Sequence, residues 1–138
     1  MSSNAFERKV AATLRRVPGL WSWHPAEPEG YQAEVPGDFL FGHARGWGLL
    51  ECKQTSDNRL SPSQWPAHQR TAARQVAAAG GVAWLAVSFR SGKRLFNVEK
   101  LAAAHRDGSL GVPFDFAWGH DLAELGSLIL LDKAGALM

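Results

Sequence analysis

Asp38, Glu51 and Lys53 are the residues of this sequence whose types and spacing can do chemistry. Twelve residues separate the two acids, and Lys53 stands two positions past Glu51. Side chains alternate along a strand, so Glu51 and Lys53 share one face while Cys52 points to the other. On paired strands, about 5 Å apart, Asp38 and Glu51 converge on one point. Two hard carboxylates at one spot suit Mg²⁺, which takes oxygen ligands, keeps several waters and is completed by phosphate. Mn²⁺ is an oxygen-seeking substitute. Such an ion lowers the pKa of its water and neutralises the charge that develops on an attacked phosphodiester. The Lys53 ammonium would orient the water or stabilise that charge. Plainer uses stand beside these. An aspartate after Pro36-Gly37 is a common turn residue, and Glu51 with Lys53 can be a solvated strand face.

The elements that must position these residues are legible in the pattern. Residues 38–42 and 47–53 read as two strands joined by a tight turn at His43–Gly46, a hairpin that places Asp38 opposite the Glu51 end. Phe6, Val10, Leu14 and Val17 recur at helical spacing, which predicts a helix over 4–17 that Pro18-Gly19 stops. Asn4 and Glu7 form a capping pair at its start. Glu7 also borders the apolar stripe and can look inward. The stretch after Gly19 reads as extended segments and loops, with Pro25–Gly30 a loop by composition. A second helix is predicted over 63–79, with Pro66 in its first turn and Gly80-Gly81 after its end. On it Trp65, Gln69, Ala72, Ala73 and Val76 form one face, and Gln69 is the polar member. A buried amide needs partners, either backbone or a group at the acid pair. The apolar run 82–89 predicts a strand buried on both faces. A further strand follows at 94–98, then a short helix at 98–106 capped by Asn97. Residues 121–131 read either as a helix starting at Asp121 or as containing a strand at 127–131. The order predicts an α/β domain with a central mixed sheet and helices packed on it.

Length and charge bound the rest. At 138 residues, with 46% hydrophobic and 20% charged residues, the chain suits one globular domain, 1–138, and not a disordered or fibrous class. A single cysteine excludes an intrachain disulfide and fits a reducing compartment. The charges Glu7, Arg8, Lys9, Arg15 and Arg16 break any signal-peptide core, and no apolar run is long enough to span a bilayer. The net charge of +2 conceals an uneven distribution. Residues 41–106 carry ten bases and three acids, while 21–40 and 107–138 are acidic. Ten of the fifteen bases are arginine, the side chain that forks onto phosphate. The basic middle is either a solvated surface or a polyanion-binding face. Arg8, Arg45, Arg59, Arg70 and Arg74 are the candidate phosphate contacts of such a face. Trp21, Trp23 and Trp47 either pack or stack on bases. The five histidines show no metal-ligand spacing.

Pro36-Gly37-Asp38, twelve residues, then Glu51-Cys52-Lys53 resembles the PD-(D/E)xK nuclease motif. Asn4-Ala-Phe-Glu7-Arg8 resembles the start of the first helix in the Holliday-junction resolvases of that superfamily. His68-Gln69 and Gly80-Gly81-Val-Ala-Trp-Leu resemble the corresponding helix and strand of RecU-type resolvases. The resemblance spans roughly residues 4–101. It implies a restriction-endonuclease-like core and a dimeric, Mg²⁺-dependent endonuclease that resolves four-way DNA junctions in the cytoplasm of a bacterial or phage-infected cell. It further implies that Asp38 and Glu51 ligate metal, that Glu7 adds a third acid, that Lys53 is the catalytic lysine and that Gln69 is an active-site glutamine. The projecting segment by which RecU-type enzymes engage a junction has no counterpart among these residues, and residues 107–138 match no known pattern. Two alternatives remain. One is a phage or restriction-type nuclease acting on duplex, flap or single-stranded DNA. The other is a non-catalytic DNA-binding module with a relic site.

Overall fold

The computed structural model describes residues 5–24, 38–105 and 111–131. The elements run α1 (Ala5–Arg15), β1 (Trp21–Trp23), β2 (Phe39–His43), β3 (Gly46–Gln54), β4 (Arg59–Leu60), α2 (Ala67–Ala78), β5 (Val82–Ser88), β6 (Lys93–Asn97) and α3 (Val98–His105). They continue with β7 (Val112–Pro113), β8 (His120–Asp121), a 3₁₀ turn (Leu122–Glu124) and α4 (Leu125–Leu128). Six strands form one mixed sheet in the order β1-β2-β3-β5-β6-β8, and β4 pairs with β7 as a separate ribbon. β3 and β5 are parallel and the other neighbours of the large sheet are antiparallel. The α2 helix is the crossover that a parallel pair requires.

Alternation along β3 sorts the core into two layers. Leu50 and Cys52 face α1 and α4, where they pack with Phe6, Val10, Leu14, Phe39, Phe41, Leu125 and Ile129. Leu49 faces the other way, toward α2 and α3, and packs with Trp65, Ala73, Leu85, Phe96, Val98 and Leu101. β5 lies between helices on both sides, and all of Val82–Val87 is buried. Gly48 lets β3 approach β5, because a Cβ there would stand 2.0 Å from the Val82 carbonyl oxygen.

Most expected elements are present, with shifted edges. The helix expected over 63–79 begins at Ala67, because Pro66 is its N-cap rather than a first-turn residue. Proline disfavours the α conformation in the residue before it, so Trp65 cannot continue a helix into Pro66. Gly80, at φ 100°, closes that helix, and the Gly81 amide donates to the Val76 carbonyl. Asn97 caps α3, its Oδ1 accepting from the Glu99 and Lys100 amides at 3.0 and 3.3 Å. Of the two readings of 121–131 the helical one holds. Asp121 caps the 3₁₀ turn in a reciprocal capping box with Glu124, and α4 follows. The Asn4 cap and the Pro25–Gly30 loop lie outside the described residues.

Candidate active site

The β2–β3 register pairs Phe39 with Leu50 and Leu40 with Leu49. One step further along the same register places Asp38 across from Glu51. The main-chain ladder stops there, and the Asp38 carboxylate replaces it. Its Oδ2 accepts the Cys52 amide at 2.7 Å. Asp38 is therefore fixed by the sheet and not merely a turn residue.

Glu51 is the one charged residue buried among those described, at 8% exposure. Burial pushes its carboxyl up to about 9, with further contributions from a side-chain hydrogen bond to Asp38 and from the charges of Asp38 and Glu7. Lys53 opposes the rise but does not cancel it. A carboxyl held this high shares a proton with its neighbour, the expected outcome when two carboxylates meet in a low-dielectric site. The buried Cys52 thiol is pushed up as well, first by desolvation and then by Asp38, Glu51 and Glu7. Glu7, Asp38, Glu51 and Lys53 thus form one electrostatic cluster, drawn from α1, the residue before β2, and β3.

His24 joins them. Its Nδ1 meets the Asp38 carbonyl, and its Nε2 lies 3.9 Å from a Glu7 oxygen. Its ring stacks on Phe39 with centroids 4.6 Å apart. A carbonyl only accepts, so Nδ1 carries the proton and Nε2 is the nitrogen turned to Glu7. Sequence spacing passed over His24, which reaches Asp38 only through β1–β2 pairing. A signal existed only in its place at the end of the Trp21–Trp23 segment.

Gln69, on α2, is half-buried, and its Oε1 is sequestered without a hydrogen-bond partner. The arginines divide. Arg8, Arg45, Arg59 and Arg74 are exposed. Arg70 is half-buried, and its Nη1 donates to the Trp65 carbonyl at 2.6 Å and, more weakly, to Pro62 at 3.4 Å. That guanidinium braces the turn before α2, so its first role is structural.

The chemistry of these carboxylates suits a hard divalent cation, although among the described residues no three His, Cys, Asp or Glu side chains stand close enough together to hold one. Asp38 shares a hydrogen bond with Glu51, while Glu7 and Lys53 act on Glu51 through charge, and burial above all is what holds the Glu51 proton. Asp38, Glu51 and Glu7 are the residues that would hold the ion.

No protein-family model matches the sequence, and no curated protein sequence matches it. Among solved structures the fold matches Hjc, a Holliday junction resolvase from the archaeal hyperthermophile Archaeoglobus fulgidus. The TM-score is 0.61, at 21% identity over 88% of this chain and 97% of that one. The mixed six-stranded sheet between two helical layers, with its acids at the β2–β3 end, is therefore the restriction-endonuclease-like fold that Hjc also has.

Proposed function

We propose that this chain is a divalent-metal-dependent endonuclease that hydrolyses phosphodiester bonds in branched DNA and resolves four-way junctions. The observation that carries this reading is the apposition of Asp38, anchored by the Cys52 amide, with the buried Glu51 at the end of the β2–β3 hairpin, where Glu7 and Lys53 also act on Glu51. Two adjacent carboxyls of this kind hold a shared proton, and a cation at the point where they meet would take its place. The likeness in fold to a protein described as a Holliday junction resolvase supports the choice of substrate.

A bound Mg²⁺ ion supplies Lewis-acid stabilisation of the phosphate and an acidified water. The chain's own residues do the rest. Asp38, anchored by the Cys52 amide, keeps its carboxylate fixed before substrate arrives. Glu51, to serve as a ligand, would give up its shared proton, since a ligating carboxylate is ionised. Lys53 faces the same side of β3 as Glu51 and places a positive charge where the attacked phosphate becomes more negative. Gln69 offers an amide oxygen to orient the attacking water. Exposed Arg8, Arg45, Arg59 and Arg74 neutralise flanking phosphates. Two symmetric cuts across a junction need two sites, hence a two-fold homodimer of this single nuclease domain.

Asp38→Ala and Glu51→Ala test the assignment in a gel assay of junction cleavage and binding with Mg²⁺. Cleavage disappears in both variants while junction binding persists. Undiminished cleavage in either variant refutes the site.

A further inference from the structure

Resting on the nuclease reading, we propose that the sheet face carrying Trp21, Trp23 and Trp47 is a stacking platform for the unpaired bases of a DNA strand leading into the acidic site.

The register places these residues together. Trp21 pairs with Gly42, which pairs with Trp47, and Trp23 pairs with Leu40, which pairs with Leu49. Paired residues point to the same face, and residues two apart along a strand share it. Trp21, Trp23 and Trp47 therefore lie on the face that bears Asp38, Glu51 and Lys53. The Trp23 row is one two-residue step from the acids, about 7 Å, and the Trp21–Trp47 row is about 13 Å away. About two to four nucleotides of a strand cover that distance.

Two of the indoles lie across glycines. A Cβ on Gly42 would stand 4.0 Å from Trp21 Cε3, and one on Gly81 would stand 3.1 Å from both Cε2 and Cζ2 of Trp47. The rows thus read Trp21, Gly42, Trp47, Gly81 across four neighbouring backbones, with the Trp47 ring crowding the place of a Gly81 side chain and the Trp21 ring in ordinary contact with that of Gly42. Covering a glycine accounts for one side of each ring, yet Trp21 is 61%, Trp23 51% and Trp47 41% exposed. The helices of this face pack mainly on β3, β5 and β6. Large aromatics held on a sheet surface with exposed rings are what bases stack on in single-strand binders.

Charge selects the occupant. Residues 21–24 and 39–50 contain no carboxylate, and they carry His24, His43 and Arg45. Arg45 is exposed in the turn beside Trp47. Among the described residues the aromatic patch bears no acid short of Asp38 and Glu51 and is edged with an arginine, which suits a polyanion with π-faces. It runs directly into the carboxylates that would hold the metal, so the strand presented to them arrives along it. Branch points supply such a strand, because their bases splay out of the duplex at low energetic cost.

The test measures DNA affinity by fluorescence anisotropy with a chelator present, so that nothing is cut. The probes are a splayed fork with unpaired arms and a duplex of the same paired sequence. The proteins are the full chain, the Trp21→Ala/Trp23→Ala double variant and the Trp21→Phe/Trp23→Phe double variant. Both residues are mostly exposed, so melting curves of the variants stay close to the parent. The proposal expects the alanine pair to weaken fork binding about tenfold or more, with duplex binding changed less than about twofold. The phenylalanine pair recovers most of the loss. Equal weakening on both DNAs, no weakening on either, or no recovery by phenylalanine overturns the platform. So does a parent dimer that falls apart in the alanine variant while fork preference survives, since a second copy is then the occupant. A parent that never cleaves junctions yet shows the tryptophan-dependent fork preference retains the platform and discards the nuclease reading.

Discussion

Glu51→Gln separates the stability of this site from its chemistry. In the native chain the Glu51 carboxyl is raised from 4.5 to about 9. In the unfolded chain it titrates near its ordinary value. Between those two pH values the folded state binds more protons than the unfolded state, so stability falls as pH rises through the window. At pH 7.5, about 3 pH units above the unfolded value, the loss has a ceiling of ~4 kcal/mol at ~1.4 kcal/mol per unit. Local relaxation around a coupled carboxyl pair lowers this, and we expect ~1–3 kcal/mol. Glutamine keeps the shape and a hydrogen-bonding group but removes the titration. Without divalent ions, Glu51→Gln should therefore melt several degrees above the parent at pH 7.5, at ~3–4 °C per kcal/mol for this size. Near pH 4.5 the parent carboxyl is protonated as well, and the advantage should vanish. Mg²⁺ should raise the melting temperature of the parent at pH 7.5 and leave the variant unmoved, because only the parent gains a ligand. Thermal melts followed by circular dichroism at both pH values, with and without Mg²⁺, read all three effects. A variant destabilised equally at both pH values, or stabilised by Mg²⁺ as much as the parent, refutes the reasoning.

Other expectations follow from single residues. Lys53→Ala should lower the junction-cleavage rate at least ~100-fold while calorimetric Mg²⁺ affinity stays within a few fold, because its charge serves the transition state. Gly48→Ala should yield no folded protein on expression, since its Cβ would meet the Val82 carbonyl at 2.0 Å. Gly42→Ala, with 4.0 Å of clearance, should fold with a melting temperature within a few degrees of the parent. Asn97→Ala should cost about 1 kcal/mol in urea unfolding, the worth of the cap on α3. DNA affinity should fall steeply between low and high salt in anisotropy titrations if the exposed arginines meet phosphate.

Much of the architecture could be read from local pattern because local physics decides it. α1 is held by Phe6, Val10 and Leu14 at helical spacing, and all three are buried. β5 is apolar throughout because both of its faces are covered. The Asp38–Glu51 apposition followed from a short hairpin with a tight turn; the observed register ends one residue short of it, and a side-chain hydrogen bond joins the two. What escaped was non-local. β8 is two residues long and exists through its pairing with Arg94 and Leu95. β4 and β7 are equally short and pair across a wide sequence gap. No propensity marks such strands. His24 carries no motif, and only β1–β2 pairing delivers it to Asp38. Arg70 read as a surface base, whereas it is half-buried and its Nη1 donates to the carbonyls of Trp65 and Pro62.

The most direct test of the central claim is a cleavage assay. It places a labelled four-way junction and a linear duplex of the same sequence in one reaction, with Mg²⁺ or with chelator. The account predicts paired, symmetric cuts in the junction with Mg²⁺, none with chelator, and little cutting of the duplex. An intact junction in Mg²⁺ and in Mn²⁺, or cleavage that continues in chelator, would contradict it.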